Sequence, residues 1–572
     1  MVRVERNKEL EEIIRKYAVI NAYQYGEASV APVMGKVMAE LPELKREAKE
    51  IAKIVEEIVN EINSLKKKEL RALFEKYREE IETRKKEEGE TKKLPSLPNA
   101  EMGKVVTRAA PNPNGPFHIG NARAYILSHE YARIYNGKFI LRFEDTDPKI
   151  KRPEPIFYEW IKEDMKWLGL EWDEEYYQSD RLEIYYEIAE ELIEKGKAYV
   201  CTCIPEKWRE LRDRGEACPC RNLEIGEQLD RWKKMFSHYK EGEAVVRIKT
   251  DLNDPNPAIR DWAALRIIEG DHPRVGRKYR VWPLYNFSCA VDDHLMGVTH
   301  ILRGQEHAVN ERRQSYVYEY MGWEKPVAIH HGRLMIEGVV LSTSKIRNGI
   351  NKGEYSGWDD PRLGTIRALR RRGITPQAIK ELIISLGPKT SDVSVSWDNL
   401  AAINRKIVDP KANRYFFVPE PVLLRIRNGI PGKYYLRLHP DYPQRGSRVL
   451  EIPESGNGEV ELYVPKDDMK SIPEGKIFRL KDLWNVKLID KDELLSERVE
   501  TEEMPKIKIQ WLPLRESIKA IVVMGDASLI EGLIERNVLM EKEGEVVQLE
   551  RFGFCRIDSA SKDVVTLFFS HK

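Results

Sequence analysis

Apolar positions in the first ninety residues recur every three or four places. In "ELKREAKEIAKIVEEIVNEINSL", Ile51, Val55, Ile58 and Ile62 share one side of that period, and Lys and Glu fill the other. The pattern predicts an amphipathic helix or helical hairpin within residues 5–90, suited to a structural or docking extension. The polar, proline-bearing "KKEEGETKKLPSLPNAEMG" then predicts a linker. Beyond it, "GKVVTRAA" reads as a short buried strand, "ARAYILSHEYARIYN" as a helix and "GKFILRFEDTD" as a second strand. Strand, loop, helix, strand is a βαβ unit, which predicts a parallel sheet with a right-handed crossover. "IFYEWIKEDMKWLGLEW" and "RLEIYYEIAEELIEKG" read as helices, and "VWPLYNFSCAVDDHLMGVTHILRG" as strand and turn. The helical period returns from Gly364 to Lys406. Past Pro410, short alternating runs such as "KYYLRLH", "EVELYV" and "VVTLFF", parted by Gly, Pro and Asp, predict antiparallel barrels or sandwiches.

Length and composition add bounds. At 572 residues the chain exceeds what one core fills, so several domains are expected. It is 41% hydrophobic and 33% charged, too apolar for wholesale disorder. The net charge of +1 makes any basic surface a local patch, so phosphate-binding stretches such as "RRRG" (Arg370 to Gly373) are weighed one by one, against the plainer reading of a solvated helix face. No apolar run is long enough to span a bilayer and the N-terminus carries no apolar signal core, which together predict a cytoplasmic protein with no membrane partner. Four of the six cysteines cluster as C-x-C-x14-C-x-C: Cys201, Cys203, Cys218 and Cys220. Four thiolates suit a closed, tetrahedral, structural Zn2+ site; unmetallated thiols or a redox pair are the other readings.

The candidate chemistry begins in "RAAPNPNGPFHIGNAR". A loop at the carboxyl end of a parallel strand, feeding a helix N-terminus, favours phosphate through free N–H groups and the helix dipole. Pro111, Pro113 and Pro116 stiffen that loop, Gly115 permits a turn and Gly120 allows close approach. His118 would stand beside the phosphates and stabilise charge in displacement at phosphorus. On "HIG" alone, an ordinary strand–helix loop reads equally well.

Five segments in order carry a resemblance. "TRAAPNPNGPFHIGNARAYI" resembles the HIGH signature of class I aminoacyl-tRNA synthetases in the glutamyl and glutaminyl branch. "GKFILRFEDTDP", "YNFSCAVDDHLMGVTHILRGQEH", "LMIEGVVLSTSKIRNGI" and "INRKIVDPKANRYFFV" are similar to its following segments, the fourth standing where the KMSKS loop falls. The resemblance implies a Rossmann-like α/β core with a helical N-terminal extension, a helical subdomain and C-terminal antiparallel β-barrels. It implies ATP, with Mg2+, activating glutamate to the adenylate, followed by transfer to the 3′ end of tRNA(Glu), with tRNA(Gln) as a further acceptor in archaeal-type members. A monomer is expected.

Residue by residue, the resemblance implies that His118, Gly120 and Asn121 hold ATP. Asn121 departs from the histidine of the pattern and is expected to keep a weaker form of its role. Arg108, Asn112, Glu144 and Tyr285 are implied in glutamate binding, Glu144 through the α-ammonium; an ordinary strand-end acid is the alternative. Asp145 and Asp147 read as structural. Arg303 is implied to fork onto the substrate side-chain carboxylate, where a glutaminyl enzyme would carry a smaller neutral residue; a surface arginine is the plain alternative. In the KMSKS segment both lysine positions are lost. Lys345 follows at once and is implied to meet the leaving pyrophosphate, aided by Ser342 and Ser344; a solvated lysine is the other reading.

The organisation expected is 1–100 extension and linker, 101–200 and 276–350 the two catalytic halves, 201–275 an acceptor-binding insertion with the cysteines, 351–410 a helical connection and 411–572 anticodon-binding barrels. Competing readings are a glutaminyl enzyme, a HIGH-superfamily nucleotidyltransferase that does not act on tRNA, and a zinc-bearing RNA-binding protein without activity.

Overall fold

The computed structural model describes residues 8–25, 27–40, 48–65 and most of 69–77, then 94–572 apart from 455–457 and 503. Residues 85–93 of the expected linker lie outside the described residues. The chain divides into two units, 1–93 and 94–572. The first is more than a hairpin. Helices Lys8–Tyr25, Val30–Glu40 and Ala48–Asn63 pack on a core of their own that includes Ile14, Val33, Val55 and Ile58.

The second unit is built on parallel strands. β1 (Val106–Ala109) pairs with β2 (Lys138–Phe143), and β2 with β3 (Glu174–Tyr177). β1 and β2 are buried over all but their first residues, as strands inside a parallel sheet are, and β2 is mostly apolar while β1 also buries Thr107 and Arg108. An antiparallel insertion follows in the order β4 (Ala198–Cys201), β5 (Val245–Ile248), β6 (Ala263–Ile267), β7 (Val281–Pro283). The chain then returns to the parallel sheet with β8 (His300–Gly304) and β9 (Val327–His331). Thr299 N donates to Val106 O at 2.9 Å, which seats β8 beside β1. Strand order therefore reverses between β1 and β8, and that is where an open α/β sheet holds its ligand.

Between β7 and β8 lies the helix Tyr285–Leu295, where the sequence pattern predicts strand and turn. Residues 286–293 are all buried. A helix covered on every side shows no 3.6-residue alternation, so periodicity could not reveal it.

After β9, helices Thr343–Asn351, Ile366–Arg371, Pro376–Leu386 and Trp397–Val408 form the helical connection. Two seven-stranded sheets follow, each with its own core. They are not wholly antiparallel: Pro421–Arg427 runs parallel to Leu495–Val499, and Ser517–Val523 parallel to Val564–His571. Among the described residues no helix is long and apolar enough to cross a membrane.

Candidate active site

A cleft of about 1370 Å³ opens at the carboxyl ends of the parallel strands. Its lining includes Arg108, Asn112, His118, Gly120, Asn121, Glu144, Tyr285, Arg303, Ser342 and Lys345, so residues spread over 238 positions meet at one mouth. Ser344 is exposed and does not line it.

The loop after β1 is fixed by its own carbonyls. Pro111 O accepts from Glu144 N at 2.9 Å and Pro113 O from Glu154 N at 3.0 Å. Asn112 Nδ2 donates to Glu144 O at 2.8 Å, which ties the loop to the end of β2. Arg347, on the helix Thr343–Asn351, donates to Glu154 Oε1 at 2.7 Å and to the carbonyl of Asn114. The KMSKS-like segment is thereby bound to the HIG loop.

His118 caps the helix Ile119–Ile134. Its Nδ1 accepts from Asn121 N at 3.4 Å, and Asn121 Oδ1 accepts from His118 N at 3.3 Å, a reciprocal capping box. The departure from the HIGH pattern thus has a local reason: an amide at the fourth position closes the box. With Nδ1 accepting, the ring proton sits on Nε2, which is left to donate. Burial lowers the His118 pKa to about 4, so the ring is neutral near pH 7 and acts as a donor without charge. A Cβ on Gly120 would lie 2.9 Å from His118 Nδ1, so only glycine leaves this ring in place.

Two buried arginines, on the neighbouring strands β1 and β8, line the cleft in different circumstances. Arg108 gives its Nε and Nη2 to Asp293, at 2.7 and 3.2 Å. Arg142 gives Nη1 to the same carboxylate at 2.7 Å and Nη2 to Glu144 Oε1 at 3.3 Å. Cys289 Sγ also donates to Glu144 Oε1, at 2.9 Å. Burial drives the Asp293 pKa up, but Arg108 and Arg142 outweigh it and hold it at about 2. Next to Asp293, Asp292 accepts from Gln178, Arg181 and Tyr185.

Arg303 is the penultimate residue of β8 and is 6% exposed. Its Nη1 donates to Gln314 Oε1 at 3.0 Å, while Nε and Nη2 have no hydrogen-bond partner among the described residues. Beside it, Tyr285 donates to His307 Nδ1 at 3.2 Å, and burial, then Arg303, lowers the His307 pKa to about 4 against the opposing pull of Glu306, which also lines the cleft. Lys345, in the first turn of its helix, is exposed and has no ion-pair partner among the described residues. A cation there opposes the helix dipole, and an arriving phosphate would reverse that penalty.

Asp145 is framework: it accepts from Tyr158, Ser179 N and Ser179 Oγ, fully buried. Asp147 Oδ1 closes a turn on Lys149 N and Ile150 N. The sequence reading missed Arg142, Cys289, Asp293, His307 and Gln314. Arg142 and the Asp292–Asp293 pair did leave a signal, as charges inside otherwise apolar runs.

Away from the cleft, the four cysteine sulfurs lie within 4.8 Å of one another at the end of β4. Cys201 and Cys218 are 3.9 Å apart and Cys203 and Cys220 are 3.7 Å apart. Tetrahedral zinc with bonds of about 2.3 Å places its sulfurs about 3.8 Å apart, so the residues fit that ion. Arg231 Nη1 and Thr202 N both donate to Cys220 Sγ, which suits a thiolate.

A parallel sheet with a HIG-capped helix at its switch point, an insertion, and paired β-sheets behind defines a class I synthetase core. The family description "tRNA synthetases class I (E and Q), catalytic domain" matches residues 104–410, and two "anti-codon binding domain" descriptions of the same family match 412–504 and 508–558. The chain belongs to this family. It is 57% identical to the Glutamate--tRNA ligase of Thermococcus kodakarensis, over 99% of this chain and 100% of that one. To the Glutamate--tRNA ligase of Pyrococcus furiosus it is 56% identical, over 99% and 100%. A solved glutamate tRNA ligase of Elizabethkingia meningosepticum, in complex with its amino acid, superposes with a TM-score of 0.40 at 22% identity, over 54% of this chain and 70% of that one. That likeness is too partial to carry a residue from one to the other.

Proposed function

We propose that this cleft activates glutamate. The chain is a ligase that joins glutamate to tRNA at the expense of ATP. An α-carboxylate oxygen attacks the α-phosphorus, and the bond to pyrophosphate breaks with its electron pair leaving on pyrophosphate. A ribose hydroxyl at the tRNA 3′ end then attacks the acyl carbon, and AMP departs. Both steps build charge on oxygen, so fixed donors do the work.

In this reading the triphosphate, with its Mg2+, lies over the N-terminus of the helix Ile119–Ile134. His118 Nε2 donates to a phosphoryl oxygen, Asn121 and Gly120 shape the seat, and Lys345 and Ser342 meet the leaving pyrophosphate. Glu144 receives the α-ammonium and Tyr285 lines the side-chain pocket. Arg108 is held by Asp293, so it lends its positive field and framework more than a free fork.

One observation carries the choice of amino acid. The Nε and Nη2 of buried Arg303 have no partner among the described residues, and they share the edge of the guanidinium that takes a carboxylate side-on. Glutamate satisfies both and cancels the charge, whereas glutamine leaves a buried cation uncompensated. ATP–pyrophosphate exchange with glutamate or glutamine, with and without tRNA, tests this. Exchange is expected with glutamate only, and only when tRNA is present. Equal exchange with glutamine would remove Arg303 from its role.

The same reading gives residues 201–275 the tRNA acceptor end, stiffened by one Zn2+ on the four cysteines, and gives residues 411–572 the anticodon. It extends to a cytoplasmic monomer that charges tRNA(Glu) and, as a second acceptor, tRNA(Gln). Metal analysis, sedimentation and charging of the two purified tRNAs decide those points.

A further inference from the structure

The unpartnered edge of Arg303 has a counterpart behind it. Gln314 sits on the helix Ala308–Met321 and is 2% exposed. It does not line the cleft. A guanidinium has only donors, so the amide must turn its oxygen to Arg303 Nη1, as found at 3.0 Å. Its Nε2 then finds no acceptor among the described residues, although it is buried.

For the fold alone, that is a poor arrangement. A carboxylate at this position would neutralise Arg303 and carry no orphan donor. No carboxylate of the described residues comes within 4.0 Å of Arg303; the nearby acid Glu311 pairs instead with Lys325 at 2.8 Å and lies 3.6 Å from His330 Nδ1. The protein thus holds one arm of the fork with a neutral group and gives the other edge no ion pair among the described residues; Glu306, which also lines the cleft, is exposed and forms none with Arg303.

We propose that Gln314 is a specificity-determining positioning residue: it aims the Nε and Nη2 edge of Arg303 at the substrate side chain while withholding the negative charge that would make the pocket accept an amide. The proposal rests on the reading that Arg303 receives the side-chain carboxylate of glutamate.

The test is steady-state charging of tRNA(Glu) by full-length protein, with glutamate and glutamine compared in each variant. Gln314→Glu supplies the missing counter-charge from inside. It is expected to lower kcat/KM for glutamate on the order of 100-fold and to leave or raise that for glutamine, so their ratio falls by two orders of magnitude, with KM for ATP unchanged. Gln314→Met keeps the size and removes the acceptor. It is expected to raise KM for glutamate roughly tenfold, again without moving KM for ATP, as a freed fork would. A merely structural role would change melting and both amino acids together. The idea is overturned if both variants keep the wild-type glutamate-to-glutamine ratio, or if all three KM values shift in parallel. Arg303→Ala separates the two levels. If wild type does not prefer glutamate, or Arg303→Ala does not erase the preference, the underlying reading has failed. If Arg303→Ala erases it and the Gln314 variants do not, only the role of Gln314 has failed.

Discussion

The cleft is walled in part by the neighbouring strands β1 and β8, each with a buried arginine, and the two use the same edge of the guanidinium differently. Arg108 spends Nε and Nη2 on Asp293, in a network where Arg108, Arg142 and Arg181 balance Asp292, Asp293 and Glu144. Arg303 has no partner for those two atoms among the described residues. A buried charge that is paired holds a structure together. One that lacks a partner costs stability until something outside the chain supplies the opposite charge. In the proposed reading the first wall serves mainly as framework and the second as recognition, though sequence alone put both arginines in the same substrate-contacting class.

The sharpest way to break this contrast is Arg303→Met. Glutamate loses both charged hydrogen bonds, so kcat/KM for glutamate should fall on the order of 1000-fold. Folding should be unharmed or improved, because an uncompensated buried charge has gone. Charging kinetics and thermal melting together check it. A large drop in melting temperature would show that Arg303 is framework after all.

The opposite pattern is expected at the wall that holds Arg108. Asp293→Ala strands Arg108 and Arg142 in the interior and should cost about 3–5 kcal/mol of stability, read from urea midpoints. A midpoint unchanged from wild type would contradict the framework assignment. Acid should find the two walls in different windows. Asp293 is held at about 2 by its arginines against a value of about 3.9 in an unfolded chain, so its contribution is complete above about pH 4 and disappears as pH falls through 2. That contribution is roughly 3 kcal/mol. His307, lowered to about 4 by burial, binds its proton more readily when unfolded. Its contribution is present above about pH 6.5 and declines as pH falls toward 4. Urea midpoints taken between pH 7 and pH 2.5 should lose the lower step in Asp293→Ala and keep the upper one.

How far these walls could be read from the chain depends on what each is made of. The HIG loop, the end of β2 and Arg303 lie in stretches whose turn residues and strand patterns are local, and they were legible. The helix Tyr285–Leu295 was not, because burial on all sides erased its period. With it went Cys289, Asp292 and Asp293, the partners that separate a framework arginine from an open one. Gln314 was hidden for another reason: a single amide on a helix takes its meaning only from a side chain eleven positions away that happens to face it. The cysteine cluster was legible as a ligand set from spacing, but the distances between the sulfurs needed the fold. In the barrels, alternation announced strands and could not announce direction, since parallel and antiparallel neighbours bury the same faces.

The smallest expected effect concerns the nucleotide side, where neither wall's charge is involved. An alanine at Gly120 would bring a Cβ to 2.9 Å from His118 Nδ1 and 3.0 Å from Cε1. The imidazole would have to rotate away, and the 3.4 Å bond it accepts from Asn121 N would stretch further. Helix propensity pulls the other way: alanine is favoured over glycine by up to about 1 kcal/mol within a helix, and position 120 is in the first turn. Gly120→Ala should therefore leave stability level or slightly raised while KM for ATP rises about tenfold, equivalent to about 1.4 kcal/mol of lost binding. Glutamate-to-glutamine discrimination should not move, because Arg303 and Gln314 are untouched. If KM for ATP stays at its wild-type value while the protein grows more stable, His118 does not face the phosphates, and the seat of the nucleotide must be sought elsewhere along the cleft.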